Sequence, residues 1–400
     1  TENIILIKKT REGTSMIDIE ELDIRLKKSS EKQVTKEEIK NLLQIDETSI
    51  DSINFRFKER VSLFLTESKD DTLVLDLTKI KSSHLLSKLE DEIPTFELEL
   101  ELVTSKPKPE QLTQIYDEIT KILKVIYQSS YIVTNTEKNN VLNKYAQLLE
   151  INPKTLKSLH GRQTEALEIQ HVVDKLPNIY AVTDKADGER HHLIINNNIV
   201  YLISNNLKVR KTGIVLDKSK EQYNNTILDG EYIFLPNEHR YIYMAFDCLI
   251  HGGEDTRELS LLSDRLTHID DIIDNVFTSN TQKGIKFEFY DTKGFEFNIE
   301  KILKFHENQI VNFMNNLNHD IKLDKKVALV RRKYFIFPFG KNDNEIFQYS
   351  VLIWTLLVIN NRVACPYKLD GLIYTPQDQK YITSSKESKY ADYKWKPNDK

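Results

Sequence analysis

A lysine, an acid, a glycine and an arginine stand close together at residues 183–190, TDKADGER, with Lys185, Asp187, Gly188 and Arg190 at the spacing KxDGxR. A lysine amine attacks an electrophile only when neutral, so a nucleophilic lysine must be partly desolvated or placed beside other cations. Taken alone, Lys-x-Asp-Gly is also a common turn composition and fits a hairpin with an exposed lysine. Companions further along weigh against the plain turn. LDGEY brings Asp229 and Glu231, MAFD brings Phe246 and Asp247, LDGLIYTP brings Asp370 and Gly371, and YKWKP brings Lys394 and Lys396. Alternation on a strand puts those two lysines on one face, where they would favour a neutral amine and stabilise a phosphate under attack, with Trp395 pointing the other way into the core.

A second set of charged residues lies earlier. FELELELV places Glu97, Glu99 and Glu101 on one strand face and Phe96, Leu98, Leu100 and Leu102 on the other. By itself this reads most simply as a solvated face. Other strands add to it: ELDIRLKK aligns Glu21, Asp23 and Arg25, RFKERVS aligns Arg56, Lys58, Arg60 and Ser62, and LVLDLTKIK adds Asp76 and Thr78. Hydrolysis of a terminal phosphate calls for this mixture, carboxylates to hold a metal and cations to hold phosphate oxygens.

These residues need elements to carry them. The chain has 400 residues, 40% hydrophobic and 29% charged with 11 glycines and 10 prolines, which predicts structure nearly throughout and two domains, 1–150 and 151–400. From 17 to 103 the pattern is strand-like, interrupted by a helix at VTKEEIKNLL that opens with Thr35 and Glu38 as a capping box. After Pro109 the period changes: Leu112, Ile115, Tyr116, Ile119, Leu123 and Ile126 form one helical stripe. NNVLNKYAQLLE continues as helix, and INPKTLKSLHG is the expected boundary. Strands then alternate with helices at LLSDRLTHIDDIIDNVF and EIFQYSVLIWTLLVI. His191 and His192 read as structural strand residues.

The net charge of −5 requires any nucleic acid to be gripped locally. Cys248 and Cys365 have no metal-ligand spacing, which suits a reducing compartment. The first residues lack the apolar core of a signal peptide and no later stretch is long and apolar enough for a membrane span, so a soluble cytoplasmic protein without a membrane partner is expected.

The ordered motifs of the second half resemble the covalent nucleotidyltransferase superfamily of mRNA capping enzymes and polynucleotide ligases. TDKADG, LDGLIYTP and KWKP are most similar to capping enzymes of large cytoplasmic DNA viruses and cytoplasmic linear plasmids. The resemblance implies an α+β fold: a tunnel-like antiparallel β domain with flanking helices, then an ATP-grasp-like nucleotidyltransferase domain of antiparallel sheets and helices. It implies that Lys185 forms a covalent adduct with GMP from GTP, with Lys394 and Lys396 at the α-phosphate. Thr183, Asp187, Gly188, Arg190, Glu231, Phe246 and Asp370 would bind GTP. Within that set Arg190 and Glu231 would hold the ribose, Phe246 would stack on the purine, and Asp370 would help place Mg²⁺ or Mn²⁺. The first-half strands resemble triphosphate-tunnel RNA triphosphatases, which implies metal binding by Glu21, Asp23, Glu97, Glu99 and Glu101 and triphosphate binding by Arg56, Lys58 and Arg60. Two departures stand: Asp23 occupies a place where the family has Glu, and fewer strands precede FELELELV than a closed tunnel needs. The implied partners are GTP, 5′-triphosphate RNA, and RNA polymerase or a cap methyltransferase region or subunit. An OB-fold normally follows KWKP, so the chain reads as part of a longer protein. An ATP-dependent polynucleotide ligase would share Lys185 and its companions but not the early acidic strands. A catalytically silent RNA-binding subunit would not need Lys185, Lys394 and Lys396 together.

Overall fold

The computed structural model describes residues 5–35, 37–38, 54–68, 71–104, 108–174, 176–177, 179–277, 298–323, 329–360, 362–383 and 390–397. The chain divides into two compact units, Thr1–Asn135 and Thr136–Lys400, an earlier division than the expected one at 150.

In the first unit β1 (Ile7–Ile19) and β2 (Ile24–Gln33) form an antiparallel hairpin. The chain reverses through a 3₁₀ turn, Glu20–Leu22, with Asp23 at φ +53°. The single strand expected to align Glu21, Asp23 and Arg25 is therefore corrected: Glu21 and Asp23 lie in the turn, and only Arg25 is on β2. Asp is among the few non-glycine residues that take up this left-handed conformation readily, which is why the reversal sits there. Thr35 and Glu38 form the reciprocal capping contacts, the Thr35 N–H donating to Glu38 Oε2 at 2.9 Å and the Glu38 N–H to Thr35 Oγ1 at 3.3 Å. The remainder of that helix lies outside the described residues.

β3 (Phe55–Glu67), β4 (Asp71–Ser83) and β5 (Thr95–Thr104) make a three-stranded antiparallel sheet, followed by α1 (Pro109–Tyr127). Its register puts Arg60, Thr78 and Glu97 in one row and Ser62, Asp76 and Glu99 in the next, so the charged face read from strand alternation forms as expected. The charged residues of β3 and most of those of β5 are exposed, and the central strand differs. On β4 Asp76 and Thr78 of the charged face are covered, 4% and 2% exposed, while on the apolar face Leu73 is buried and Leu77 is 41% exposed. Among the described residues of this unit there are a two-stranded and a three-stranded sheet, and no closed tunnel.

The second unit begins with α2 (Asn135–Leu148), then β6 (Thr164–Ala166), α3 (Ile169–Asp174), β7 (Tyr180–Ala186), β8 (Gly188–Asn196), β9 (Ile199–Ser204), β10 (Val209–Val215), β11 (Thr226–Leu235) and β12 (Arg240–His251). Next come β13 (Glu254–Asp255), α4 (Leu262–Ile272), α5 (Ile299–Leu323), β14 (Leu329–Arg332), α6 (Glu345–Trp354), β15 (Leu369–Pro376) and β16 (Asp392–Trp395). One sheet has the order β10-β9-β8-β11-β12-β13, with β14 parallel to β12; the other has the order β6-β16-β15-β7. Two apolar cores support them. Leu193, Leu228 and Tyr243 of the larger sheet are buried with Leu262, Leu266 and Ile269 of α4. Val182 and Ala186 of β7 are buried with Ile310, Met314 and Leu317 of α5 and Tyr349 and Ile353 of α6. Covered by helices, β7 reads almost continuously apolar apart from its chemical residues. No described helix is long and apolar enough to cross a membrane.

Candidate active site

The chain leaves the smaller sheet at Ala186 and enters the larger one at Gly188, with Asp187 alone between them. Lys185 is the penultimate residue of β7 and faces Gly371 on β15. Gly371 has φ +145°, and a Cβ there would sit 1.9 Å from the Trp395 carbonyl oxygen, so only glycine lets β16 pass this close. That approach delivers Lys396. Its Nζ lies 2.8 Å from Asp370 Oδ2, and Lys185 Nζ donates to the same oxygen at 2.7 Å. Burial by itself would raise the Asp370 carboxyl, but its bonds to Lys185 and Lys396 outweigh that and hold it below the ordinary carboxylate value. Lys394 lies opposite Ile373 on β16, half-buried, and Trp395 packs edge-to-face on Trp354 at 5.1 Å, as expected for the core-facing residue between two lysines. Thr183, two residues behind Lys185, is buried deeper in the same sheet.

Gly188 has a packing reason of its own: a Cβ there would meet Glu231 Cγ at 2.8 Å and the Tyr232 carbonyl oxygen at 2.9 Å. β8 can thus lie tightly on β11, pairing Arg190 with Glu231. Burial raises the Glu231 carboxyl, opposed by the charges of Lys333 and Lys185, which places this acid within electrostatic reach of Lys185. Asp187 is at the rim, exposed, 3.2 Å from Lys368 Nζ.

Arg190 is held more firmly than its expected ribose role required. Its Nε and one terminal nitrogen donate to the two oxygens of Asp229 at 2.9 and 2.5 Å, and its other terminal nitrogen donates to the Arg162 carbonyl. Its guanidinium carbon stands 5.8 Å from the centre of the Phe246 ring. Burial would raise the fully buried Asp229, but Arg190 and His192 dominate and keep it well below the usual carboxylate range. Tyr381 donates to Asp229 Oδ2 at 2.5 Å, and Arg162 pairs with the buried Asp392 at 2.9 Å. Behind β7 a second buried pair, Lys333 and Asp184, meets at 3.0 Å. Sequence reasoning quoted Asp229 without giving it a role and missed Arg162, Lys333 and Tyr381. Asp229, inside LDGEY, was the only one with a local signal.

In the first unit Arg56 pairs with Glu97 at 2.8 Å, and Arg60 reaches Asp76 at 2.7 Å and Glu99 at 3.1 Å. Ser62 donates to Asp76 at 2.6 Å. Lys58 is in register with Ile80 on this face. The Lys9 ammonium is raised mainly by its bond to Glu31, with Glu101 and Glu99 adding to it, so β1 runs near the acidic end of β5. The five acids expected to hold a metal are not brought together. Glu21 and Asp23 are in the hairpin turn, Glu97 and Glu99 are engaged by arginines, and among the described residues no group of three or more His, Cys, Asp or Glu could hold an ion.

Residues 126–322 match the family described as mRNA capping enzyme, catalytic domain. That stretch is similar to the catalytic domain of mRNA capping enzymes. Almost the whole chain is similar to a probable mRNA-capping enzyme of Acanthamoeba polyphaga mimivirus, 31% identical over 405 residues that cover 99% of this chain and 33% of that protein. The chain thus spans about a third of the length of this viral relative. Among solved structures, a mycobacterial DNA ligase D complexed with ATP shares 13% identity at a TM-score of 0.28, covering 59% of each chain. The ATP-dependent DNA ligase of bacteriophage T7 in complex with ATP shares 11% at 0.30, covering 60% of this chain and 69% of that one. Scores this low decide neither the fold nor the nucleotide.

Proposed function

We propose that the second unit is an mRNA guanylyltransferase acting through a lysine–GMP intermediate. The observation that carries this reading is the single carboxylate oxygen of Asp370 shared by Lys185 and Lys396 at the end of β7. Such a site concentrates cations where a triphosphate would lie, and leaves one amine able to exchange its carboxylate partner for a phosphate. Lys185 gives up a proton, and its Nζ forms a bond to the α-phosphorus of GTP. The bond from that phosphorus to the oxygen bridging to the β-phosphate breaks, and pyrophosphate leaves with the electron pair. A diphosphate-ended RNA then attacks the same phosphorus, the P–N bond breaks, and Lys185 recovers a proton. Lys394 and Lys396 stabilise charge on the phosphate oxygens.

Mg²⁺ or Mn²⁺ fits as an ion carried in by the nucleotide: Asp370 offers a hard-oxygen donor beside the two lysines, and phosphate oxygens would complete the coordination. Bound there, it would neutralise phosphate charge. Incubation with α-labelled GTP or ATP followed by denaturation tests the reading. The expected result is a stable label from GTP, absent in Lys185→Ala. Preferential labelling by ATP would make the protein a polynucleotide ligase, and no label from either would make it a silent subunit.

A second activity is supported by a separate observation, the pairing of Arg56 with Glu97 and of Arg60 with Asp76 and Glu99 on one face of β3–β5. We propose that this face binds the 5′-triphosphate of RNA through Arg56, Lys58 and Arg60 and removes the γ-phosphate, with Glu97, Glu99 and Glu101 as the acids. Glu99→Ala should abolish phosphate release from triphosphate-ended RNA while the GMP adduct persists. Release that survives both Glu99→Ala and Glu21→Ala would make the face structural.

A further inference from the structure

Three side chains, Arg190, His192 and Tyr381, converge on the buried carboxylate of Asp229, Tyr145 stands behind His192, and only Arg190 among them also touches the site. Tyr145 of α2 accepts a hydrogen bond from the backbone N–H of His160 at 3.0 Å, so its own proton is directed to His192 Nδ1, 2.9 Å away. With Nδ1 accepting, the imidazole carries a hydrogen on Nε2, which faces Asp229 Oδ1 at 3.4 Å, a polar contact rather than a full hydrogen bond. Tyr381 accepts from Arg190 at 3.1 Å and donates to the other Asp229 oxygen. Tyr145, His192 and Asp229 are fully buried and Tyr381 nearly so. A carboxylate in so dry a place is tolerable only if its donors stay fixed, and those donors fix the guanidinium in turn.

We propose that Tyr145, His192 and Tyr381 are positioning residues that act through Asp229 to hold Arg190 as a rigid backing for the Phe246 ring, and so set the affinity for the purine base. The inference rests on the nucleotide-binding reading above. The three residues come from α2, β8 and the segment after β15, so the backing is assembled from distant parts of the second unit. The base, rather than the phosphates, should feel its loss, because the network ends at Phe246 and the phosphates face Lys185 and Lys396.

The test uses the whole chain and displacement of a fluorescent guanine nucleotide, with GTP and inorganic tripolyphosphate as competitors. His192→Leu and Tyr381→Phe should weaken GTP about tenfold and leave tripolyphosphate within about twofold, and His192→Gln, which keeps a donor toward Asp229, should recover most of the loss. In adduct kinetics the change should fall on KM rather than kcat. Equal weakening of both competitors, or unchanged GTP affinity in folded variants, overturns the proposal. If His192→Leu fails to fold, Tyr145→Phe carries the same expectation with a smaller change. Wild-type protein that binds GTP but forms no adduct sinks the transferase reading alone; failure to bind GTP sinks both.

Discussion

One oxygen of Asp370 shared by two ammonium groups is possible only because β16 touches β15 at Gly371, so a single missing methyl group sets the spacing of the site. Gly371→Ala would meet the Trp395 carbonyl at 1.9 Å in a backbone conformation at φ +145°. The expected cost is about 3 kcal/mol of stability together with at least a tenfold slower adduct, since β16 must move and carries Lys394 and Lys396 with it. Gly253 supplies the control. It too has a positive φ, +92°, but a Cβ there would find only Asn225 Cβ at 4.0 Å. Gly253→Ala should therefore show backbone strain and no loss of adduct rate, and urea unfolding beside a rate measurement separates the two. Equal adduct rates in both variants would detach the site from the β15–β16 contact. Lys185, Gly188 and Gly371 stood out in the sequence as members of ordered motifs, while the packing reasons for the two glycines, tight pairing and close approach, appear only in the fold. Tyr381 and Arg162 were not, because a hydroxyl and a guanidinium that meet a carboxylate across the fold leave no local pattern.

Elements show where pattern reading succeeds and where it stops. The charged face of β3–β5 was legible because a strand alternates with period two whatever its neighbours do. The turn between β1 and β2 was not, because IDIEELDIRLKK contains no glycine, proline or asparagine to mark it and its one sign is the slip of alternation at Glu20–Glu21. On α5, His306 is a buried element residue with a measurable consequence. Its ring lies edge-on to Tyr349 at 5.0 Å, both its nitrogens are buried without a hydrogen-bond partner, and burial pushes its pKa from 6.5 down to about 4. At pH 7 both folded and unfolded chains carry it mostly neutral. Between about pH 6.5 and about pH 4 the unfolded chain takes up a proton that the folded chain refuses, so stability falls as the solution is acidified. From pH 7 to pH 5 this contributes a loss of about 2 kcal/mol, absent in His306→Leu. Denaturation midpoints of the two proteins at both pH values measure it, and an equal acid loss in both would mean that other groups carry the effect.

At the scale of the molecule, two compact units with separate chemistry should answer separate ligands. Calorimetry is expected to resolve two transitions. Saturating GTP should raise one of them and tripolyphosphate-ended RNA of the kind proposed for the β3–β5 face should raise the other, because a ligand stabilises only the unit that binds it. A single transition moved by both would mean that the units unfold as one. Within the second unit, β7 passes into β8 through Asp187 alone, two positions beyond Lys185. The amine is therefore carried at the very end of one sheet, beside the crossing into the other. A change in the angle between those sheets would turn the strand end that bears Lys185, so in the proposed reaction a loosening that freed a product would also shift the lysine away from the next phosphate.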